Sequence, residues 1–200
     1  MAGPAFNIVL HQPQIPNNTG NIGRTCVATG CALHLIHPLG FDTSVKACRR
    51  AGLDYWPRLE PFDHESWESF LCFRHDAGAT GADRGSGLWL FTTKAVRTLW
   101  DVDFRRGDWL VFGSETQGLP DEVLHSGAGT PVRFPMAPGE RSLNVATAVC
   151  AAIYEGLRQI RDAPRYVRNR ARLEMMDPRD HGAAGPAHRE GDSEAPTPIV

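Results

Sequence analysis

Hydrophobic residues in this chain fall in short runs, and each run is bounded by Gly, Pro or polar residues. The first run, FNIVL at 6–10, is apolar and partly β-branched, and Pro13 follows it closely. Runs of this length and composition are typical of buried β-strands. The sequence predicts strands at 6–10, 33–38, 87–93, 107–113 and 131–136.

Helical patterns lie between these strands. They cover residues 22–29, 44–51, 65–73 and 119–125. Strands that alternate with helices indicate an α/β domain with a mainly parallel sheet. The segment 74–87 is rich in glycine and charge, and it is predicted to be a surface loop.

The longest predicted helix is the last one. Its apolar residues recur at spacings of three and four and form one stripe: Val145, Val149, Ile153, Leu157 and Ile160. Ser142 is the predicted N-cap and Pro164 the predicted stop.

The chain beyond this helix has a different composition. Four arginines lie within 165–172, and residues 177–200 are rich in Pro, Gly, Ala and charge without a core pattern. Such a composition cannot bury enough apolar surface to order itself. We therefore expect one domain over 1–161 and a basic, then disordered, tail over 162–200.

Composition limits the class of protein. The 200 residues suffice for one domain with a sizeable core, and a net charge of −2 excludes a generally basic nucleic-acid binder. No apolar run approaches the roughly 18 residues of a membrane span, and the start of the chain predicts no signal peptide. The five scattered cysteines form no C-x-x-C pair, which favours a reducing cytoplasm over disulfides or zinc. We expect His34 and His37 to be structural.

The first stretch with possible chemistry is PNNTGNIGRT at 16–25. Gly, Asn and Pro are turn formers, and the stretch leads to Arg24 and into a helix predicted to end at Gly30. A turn that delivers a cation to a helix start could bind an anion. It could equally be an ordinary loop with a solvated arginine, and the residues alone leave both interpretations open.

The second stretch is FGSETQGLP at 112–120. The spacing of Gly113 and Gly118 is that of a phosphate loop, but Leu119 and Pro120 stand where such a loop needs Lys and Ser or Thr. ATP binding is therefore disfavoured. Glycines at the carboxyl end of a strand allow close approach to a ligand, although a plain strand-to-helix turn also explains them. Such a turn does not need the acidic Glu115.

The third stretch is FPMAPGERSLNVATAV at 134–149. It leads straight into the last helix and places Ser142 and Asn144 beside the positive helix end. Ligand contact and simple capping are both consistent with these two residues. No nucleophile–base pair accompanies any of the three stretches.

In this order, N-x-x-R, F-G-x-E-x-x-G-L and R-S-L-N resemble the three motifs of the SPOUT RNA 2′-O-ribose methyltransferases. The stretches NIVLHQPQIPNNTGNIGRTC and GFDTSVKACRRAGLDYW resemble in particular the small enzymes that modify the wobble cytidine or uridine of tRNA. The resemblance covers roughly residues 6–160.

The resemblance implies a SPOUT fold, with helices on both faces of the sheet and a C-terminal deep trefoil knot that binds S-adenosylmethionine. It implies a homodimer that acts on tRNA without a metal. The positions linked to catalysis are Arg24, Glu115, Ser142 and Asn144. The positions linked to the cofactor are Phe91, Thr92, Gly113, Gly118, Phe134, Met136, Ser142 and Leu143.

Two features depart from that family. Ala146 and Thr147 stand where relatives often carry more polar residues, and the 74–87 loop is longer than in compact members. The expected activity is 2′-O-methylation of the wobble ribose in tRNA. The alternatives are the same transfer at another tRNA or rRNA site, and an RNA-binding homologue that does not catalyse.

Overall fold

A computed structural model of the chain describes residues 3–42, 56–79 and 85–160, and the backbone of two later strands. Contacts divide the chain into two units, Met1–Ala163 and Pro164–Val200. We describe each unit by itself.

The first unit is built on a sheet of six strands. They are β1 (Asn7–His11), β2 (Ala32–Ile36), β3 (Phe62–His64), β4 (Leu88–Phe91), β5 (Trp109–Phe112) and β6 (Thr130–Val132). The spatial order is β3-β2-β1-β5-β4-β6, and every neighbouring pair is parallel. All carboxyl ends therefore lie at one edge, where ligands bind in open α/β sheets.

Five helices accompany the sheet in the part of the chain that the structure describes. They are α1 (Pro16–Thr29), α2 (Trp56–Leu59), α3 (Trp67–Ala79), α4 (Asp121–Leu124) and α5 (Val145–Gln159), and a 3₁₀ turn covers Leu99–Asp101. Successive strand residues point to opposite faces, so Ile8 packs in a core with α1 and α5, and Val9 in a core with α3 and α4. The α/β class and the five predicted strands are confirmed.

The turn predicted at the start of the first helix is wrong. The α1 helix begins at Pro16, so the residues PNNTGN form its first turns, and Gly30 ends it as predicted. Proline is well suited to this place because its missing N–H would have no partner in the first helical turn. Arg24 consequently lies within the helix and not at its start.

Other boundaries also differ from the pattern. The α3 helix continues to Ala79, so the predicted loop does not begin at residue 74. The short elements α2, β3 and the 3₁₀ turn were not predicted, and the three residues of β3, Phe-Asp-His, contain no apolar run. The predicted helix at 44–51 lies outside the described residues.

The last helix begins at Val145, whereas a cap at Ser142 would have started it at residue 143. Asn144, not Ser142, is the N-cap, and its side chain accepts hydrogen bonds from the N–H groups of Ala146 and Thr147. The helix ends at Gln159, before Pro164. The predicted apolar stripe is confirmed, because Val149 and Ile153 are fully buried and the other three residues pack against the same core.

The second unit contains β7 (Arg165–Asn169) and β8 (Arg172–Met176), which pair antiparallel. No sequence pattern predicted these two strands. Residues 177–200, expected to be disordered, lie outside the described part of the chain.

Both histidines that were expected to be structural contact other side chains of the fold. His34 Nδ1 lies 3.0 Å from His64 Nε2, and its ring stacks on Phe62 with centroids 4.7 Å apart. His37 Nε2 lies 2.9 Å from an Asp63 carboxylate oxygen. Burial, and secondarily the neighbouring His64, lowers the pKa of His34 to about 3.

The burial of His34 predicts that the folded protein loses stability in acid. The folded state keeps His34 neutral, whereas the unfolded chain protonates it near its ordinary pKa of 6.5. Stability is therefore present above pH 6.5 and is lost as pH falls toward 3. We expect His34 to account for about 2 kcal/mol of lost unfolding free energy at pH 5 relative to pH 8.

Urea unfolding at several pH values measures this effect. His34→Asn should flatten the dependence of the unfolding free energy on pH. His75→Asn is the matched control, since that side chain is 84% exposed, and it should leave the dependence unchanged. An unaltered pH dependence in His34→Asn would contradict the assignment.

Candidate active-site cleft

The loops that follow β4, β5 and β6 meet the start of α5 around one cleft of about 580 Å³. Its walls come from residues 91–94, 112–119, 134, 136, 141–145 and 148, and Ile15 and Asn18 of the α1 region complete it. It lies at the carboxyl edge of the sheet, as expected for a ligand site in this class of fold.

The loop after β5 is closed tightly on itself. Gly118 donates its N–H to the Ser114 carbonyl at 2.9 Å and has a φ of +70°. A Cβ atom on Gly113 would overlap the backbone of Gly118 and Leu119. The two glycines are therefore required by close backbone approach and by positive φ, respectively.

The Glu115 carboxylate connects this loop to the start of α1. It accepts hydrogen bonds from the N–H groups of Gln14 at 2.8 Å and Ile15 at 3.2 Å. It also accepts one from the Asn18 amide at 3.0 Å. Partial burial raises the pKa of Glu115, but these hydrogen bonds outweigh it, and the net pKa is lowered.

Asn18 carries the connection on to the last helix. Its Oδ1 accepts from Asn144 Nδ2 at 3.1 Å, and Asn144 Oδ1 caps α5. Asn18 is only 8% exposed and lines the cleft. The sequence did not single out Asn18, because its stretch was predicted to be a loop-like turn. A helix that begins at Pro16 instead places Asn18 in the first helical turn.

Aromatic rings form the apolar wall of the cleft. Phe91 and Phe112 stack with centroids 4.5 Å apart, and Phe134 lies 5.3 Å from Phe91. The opposite boundaries are polar loops and a helix N-terminus. The cleft therefore suits a ligand that combines a flat apolar ring system with polar groups.

Two cations that the sequence analysis did not name also line the cleft. Lys94 Nζ forms an ion pair with Asp121 at 2.7 Å, and Arg141 is exposed beside Ser142. Across the described ranges, no group of His, Cys, Asp and Glu is arranged to hold a metal ion.

The structure brings most of the predicted site residues together. All eight predicted cofactor positions line the cleft, as do Glu115 and Asn144. Ser142, exposed and ahead of the cap, lies on the same wall. Arg24 is exposed on α1 and is not among the residues that line the cleft.

The chain belongs to the SpoU rRNA Methylase family, whose model matches residues 5–154. A Saccharophagus degradans protein named tRNA (cytidine(34)-2′-O)-methyltransferase is 43% identical over 156 residues, which is 78% of this chain and 96% of that protein. A Yersinia pestis protein of the same name is 42% identical and is covered to 94%, against 78% of this chain.

Solved structures show the same similarity. One, described as giving structural insights into the 2-OH methylation of C/U34 on tRNA, has a TM-score of 0.67 and 42% identity. It matches 78% of this chain and 97% of its own. The AdoMet complex of AviRb from Streptomyces viridochromogenes has a TM-score of 0.68 and 25% identity, over 78% of this chain and 61% of its own.

The tight closure of the loop after β5 predicts that one methyl group added at Gly113 destabilises the fold. We expect Gly113→Ala to lower the free energy of unfolding by about 2 kcal/mol or more, because the loop must open to admit the Cβ. Gly78→Ala is the control, since nothing lies within 4 Å of a Cβ at that helical position. Urea unfolding measures both, and equal stability of the two variants would contradict the geometry.

Proposed function

We propose that this protein transfers a methyl group from S-adenosylmethionine to the ribose 2′-hydroxyl of the wobble nucleotide, cytidine or uridine, in tRNA. Residues 1–161 carry this activity. The observation that carries the proposal is the single cleft lined by every predicted cofactor position. The relatives named as tRNA (cytidine(34)-2′-O)-methyltransferases support the substrate.

The cleft residues fit the proposed cofactor chemically. The wall of Phe91, Phe112 and Phe134 offers apolar surface to an adenine ring, and the backbone of 113–118 can approach closely where side chains are absent. When bound, the cofactor supplies an electrophilic methyl group. The chain has to bind it, orient the ribose and allow the hydroxyl proton to leave.

Each predicted catalytic residue near the cleft has a distinct place in this scheme. Ser142 is exposed just ahead of α5, where its hydroxyl can hold a polar group of the RNA. The Asn144 side chain caps α5 and donates to Asn18, so we assign it a positioning role. The Glu115 carboxylate already accepts from Gln14, Ile15 and Asn18. We therefore assign Glu115 a positioning role, because its oxygens are occupied by these donors.

Arg24 is assigned to the RNA. A guanidinium in a protein keeps its proton, so it is suited to clamp a phosphate and to stabilise a developing alkoxide, and it is a poor base. Arg24 is exposed and lies outside the cleft lining of its own chain. The bound RNA must therefore extend along α1, or a second subunit must bring its arginine to the cleft.

The direct experiment incubates purified protein with labelled S-adenosylmethionine and tRNA, followed by nuclease digestion and mass analysis. We expect one added methyl group on the ribose of nucleotide 34. A methyl group at another tRNA position or only on rRNA would favour the first alternative. RNA binding without any transfer would favour a non-catalytic homologue.

Variants of Arg24 test its role in the same assay. Arg24→Ala should abolish most turnover and leave the Kd for S-adenosylmethionine close to wild type, because the cleft is built from other segments. Arg24→Lys should remain poor, since the planar fork is lost while the charge stays. Intact turnover, or a loss of cofactor affinity as large as the loss of turnover, would refute the assignment.

We also propose that the chain is threaded as a trefoil knot around β6. The segment after β4 supports this, because Thr98 pairs with Arg133 and Leu99 donates its N–H to the Arg133 carbonyl. The end of β6 thus has a part of the preceding chain on the side away from β4. The chain then continues past this segment into the cleft wall and α5.

The protein is further proposed to act as a homodimer in which α5 contributes to the interface. Tyr154, 56% exposed, and Arg158 lie on α5 and have the polar-tipped side chains common at interfaces. We expect sedimentation to give a dimer at micromolar concentration. Tyr154→Glu should shift it toward monomer, because a carboxylate would be buried there. A stable wild-type monomer would refute the proposal.

A further inference from the structure

We propose that Trp100, flanked by Arg97 and Arg133, is a stacking platform that holds an unpaired base of the RNA beside the cleft. This inference rests on the proposed function. It concerns a surface next to the cleft that none of the predicted site residues occupies, since Trp100 and the two arginines do not line the cleft.

The exposure of this surface is its first unusual property. Trp100 is 74% exposed, and Val96 is 95% exposed. Both are therefore more open to water than any other large hydrophobic residue in the described part of the chain. Exposed apolar surface next to a ligand cleft is characteristic of an interaction site.

The platform is also held firmly in place. The Thr98 hydroxyl donates to the Asp101 carboxylate at 2.7 Å, and the Thr98 N–H donates to the same oxygen at 2.9 Å. The second of these bonds belongs to a capping box around the 3₁₀ turn that carries Trp100. Leu99, 5% exposed, anchors the turn in the core. A ring on a fixed backbone loses little conformational entropy when it binds.

Backbone pairing brings the chain segments of two arginines together beside the turn that carries Trp100. The Arg133 N–H donates to the Arg97 carbonyl at 2.9 Å, and the Leu99 N–H donates to the Arg133 carbonyl at 2.8 Å. Both arginines are exposed. Asp101, the nearest acid in sequence, keeps its negative charge, because the hydrogen bonds from Thr98 and, to a smaller extent, the Arg97 cation lower the pKa of its carboxyl group. Exposed arginines on the chain segments that flank an exposed indole offer the phosphate contacts and the base stacking by which proteins bind single-stranded nucleic acid.

The platform is continuous with the walls of the cleft. The chain passes from Thr92–Lys94 on the cleft wall directly to Val96, and from Arg133 directly to Phe134 on the cleft wall. A nucleotide whose ribose occupies the cleft therefore has neighbours within reach of this surface. Bases of an RNA loop can be splayed out and stacked on aromatic side chains, which commits the platform to RNA.

Steady-state kinetics of tRNA methylation test the platform, because its loss should raise the KM for tRNA and leave kcat unchanged. Trp100→Ala should raise the KM for tRNA about five- to tenfold, with kcat at saturating tRNA and the Kd for S-adenosylmethionine within twofold of wild type. The KM of Trp100→Phe should lie close to that of the wild type, because a phenyl ring also stacks. Arg97→Ala combined with Arg133→Ala should raise the KM and reduce its dependence on salt.

Arg105→Ala is the control for the loss of charge, since Arg105 is exposed at the amino end of β5, away from the cleft. It should leave the KM unchanged. If the wild-type protein methylates tRNA and Trp100→Ala keeps a wild-type KM, the platform is refuted and the proposed function stands. If the wild type neither binds nor methylates tRNA, both fall. A change from dimer to monomer in Trp100→Ala during sedimentation would assign the surface to a second copy and overturn the proposal.

Discussion

The Glu115 carboxylate is the constraint on which the architecture of the cleft depends. The α1 helix has no side-chain cap of its own, because its N-cap residue is Ile15. Glu115, which lies 100 residues further along the chain, accepts the Ile15 N–H and places a negative charge at the positive helix end. Its bond to Asn18 extends to Asn144, which caps α5. One acid thus sets the relative positions of two helix starts and a glycine loop.

This arrangement suits the proposed transfer of a methyl group. Methyl transfer from a sulfonium requires a cofactor held against a hydroxyl in a fixed geometry, and little covalent chemistry from the protein. The closed loop at Gly113, the aromatic wall and the capped start of α5 supply rigid surfaces for that purpose. Glu115, Asn18 and Asn144 hold these surfaces in place through their mutual hydrogen bonds.

The sequence predicted well those features that depend on local patterns. Apolar runs identified five of the six strands of the sheet, and motif order identified the family, because both signals are contained in short segments. Features set by distant partners were missed or misplaced. The start of α1 depends on an acid from another loop, and the choice of Asn144 over Ser142 as the cap coincides with the bond from Asn144 to Asn18. No local pattern contains either contact.

Hydrogen exchange measured with and without S-adenosylmethionine tests most directly whether the loop after β5, the start of α5 and the start of α1 form one cofactor cleft. The cofactor should slow amide exchange in residues 113–119 and 142–148 and, through Glu115 and Asn18, in the first turn of α1. The second cavity of about 520 Å³, which Arg58 and Arg106 line near the amino ends of the strands, should be unaffected. Protection centred on that cavity, or none in the three cleft segments, would contradict the account.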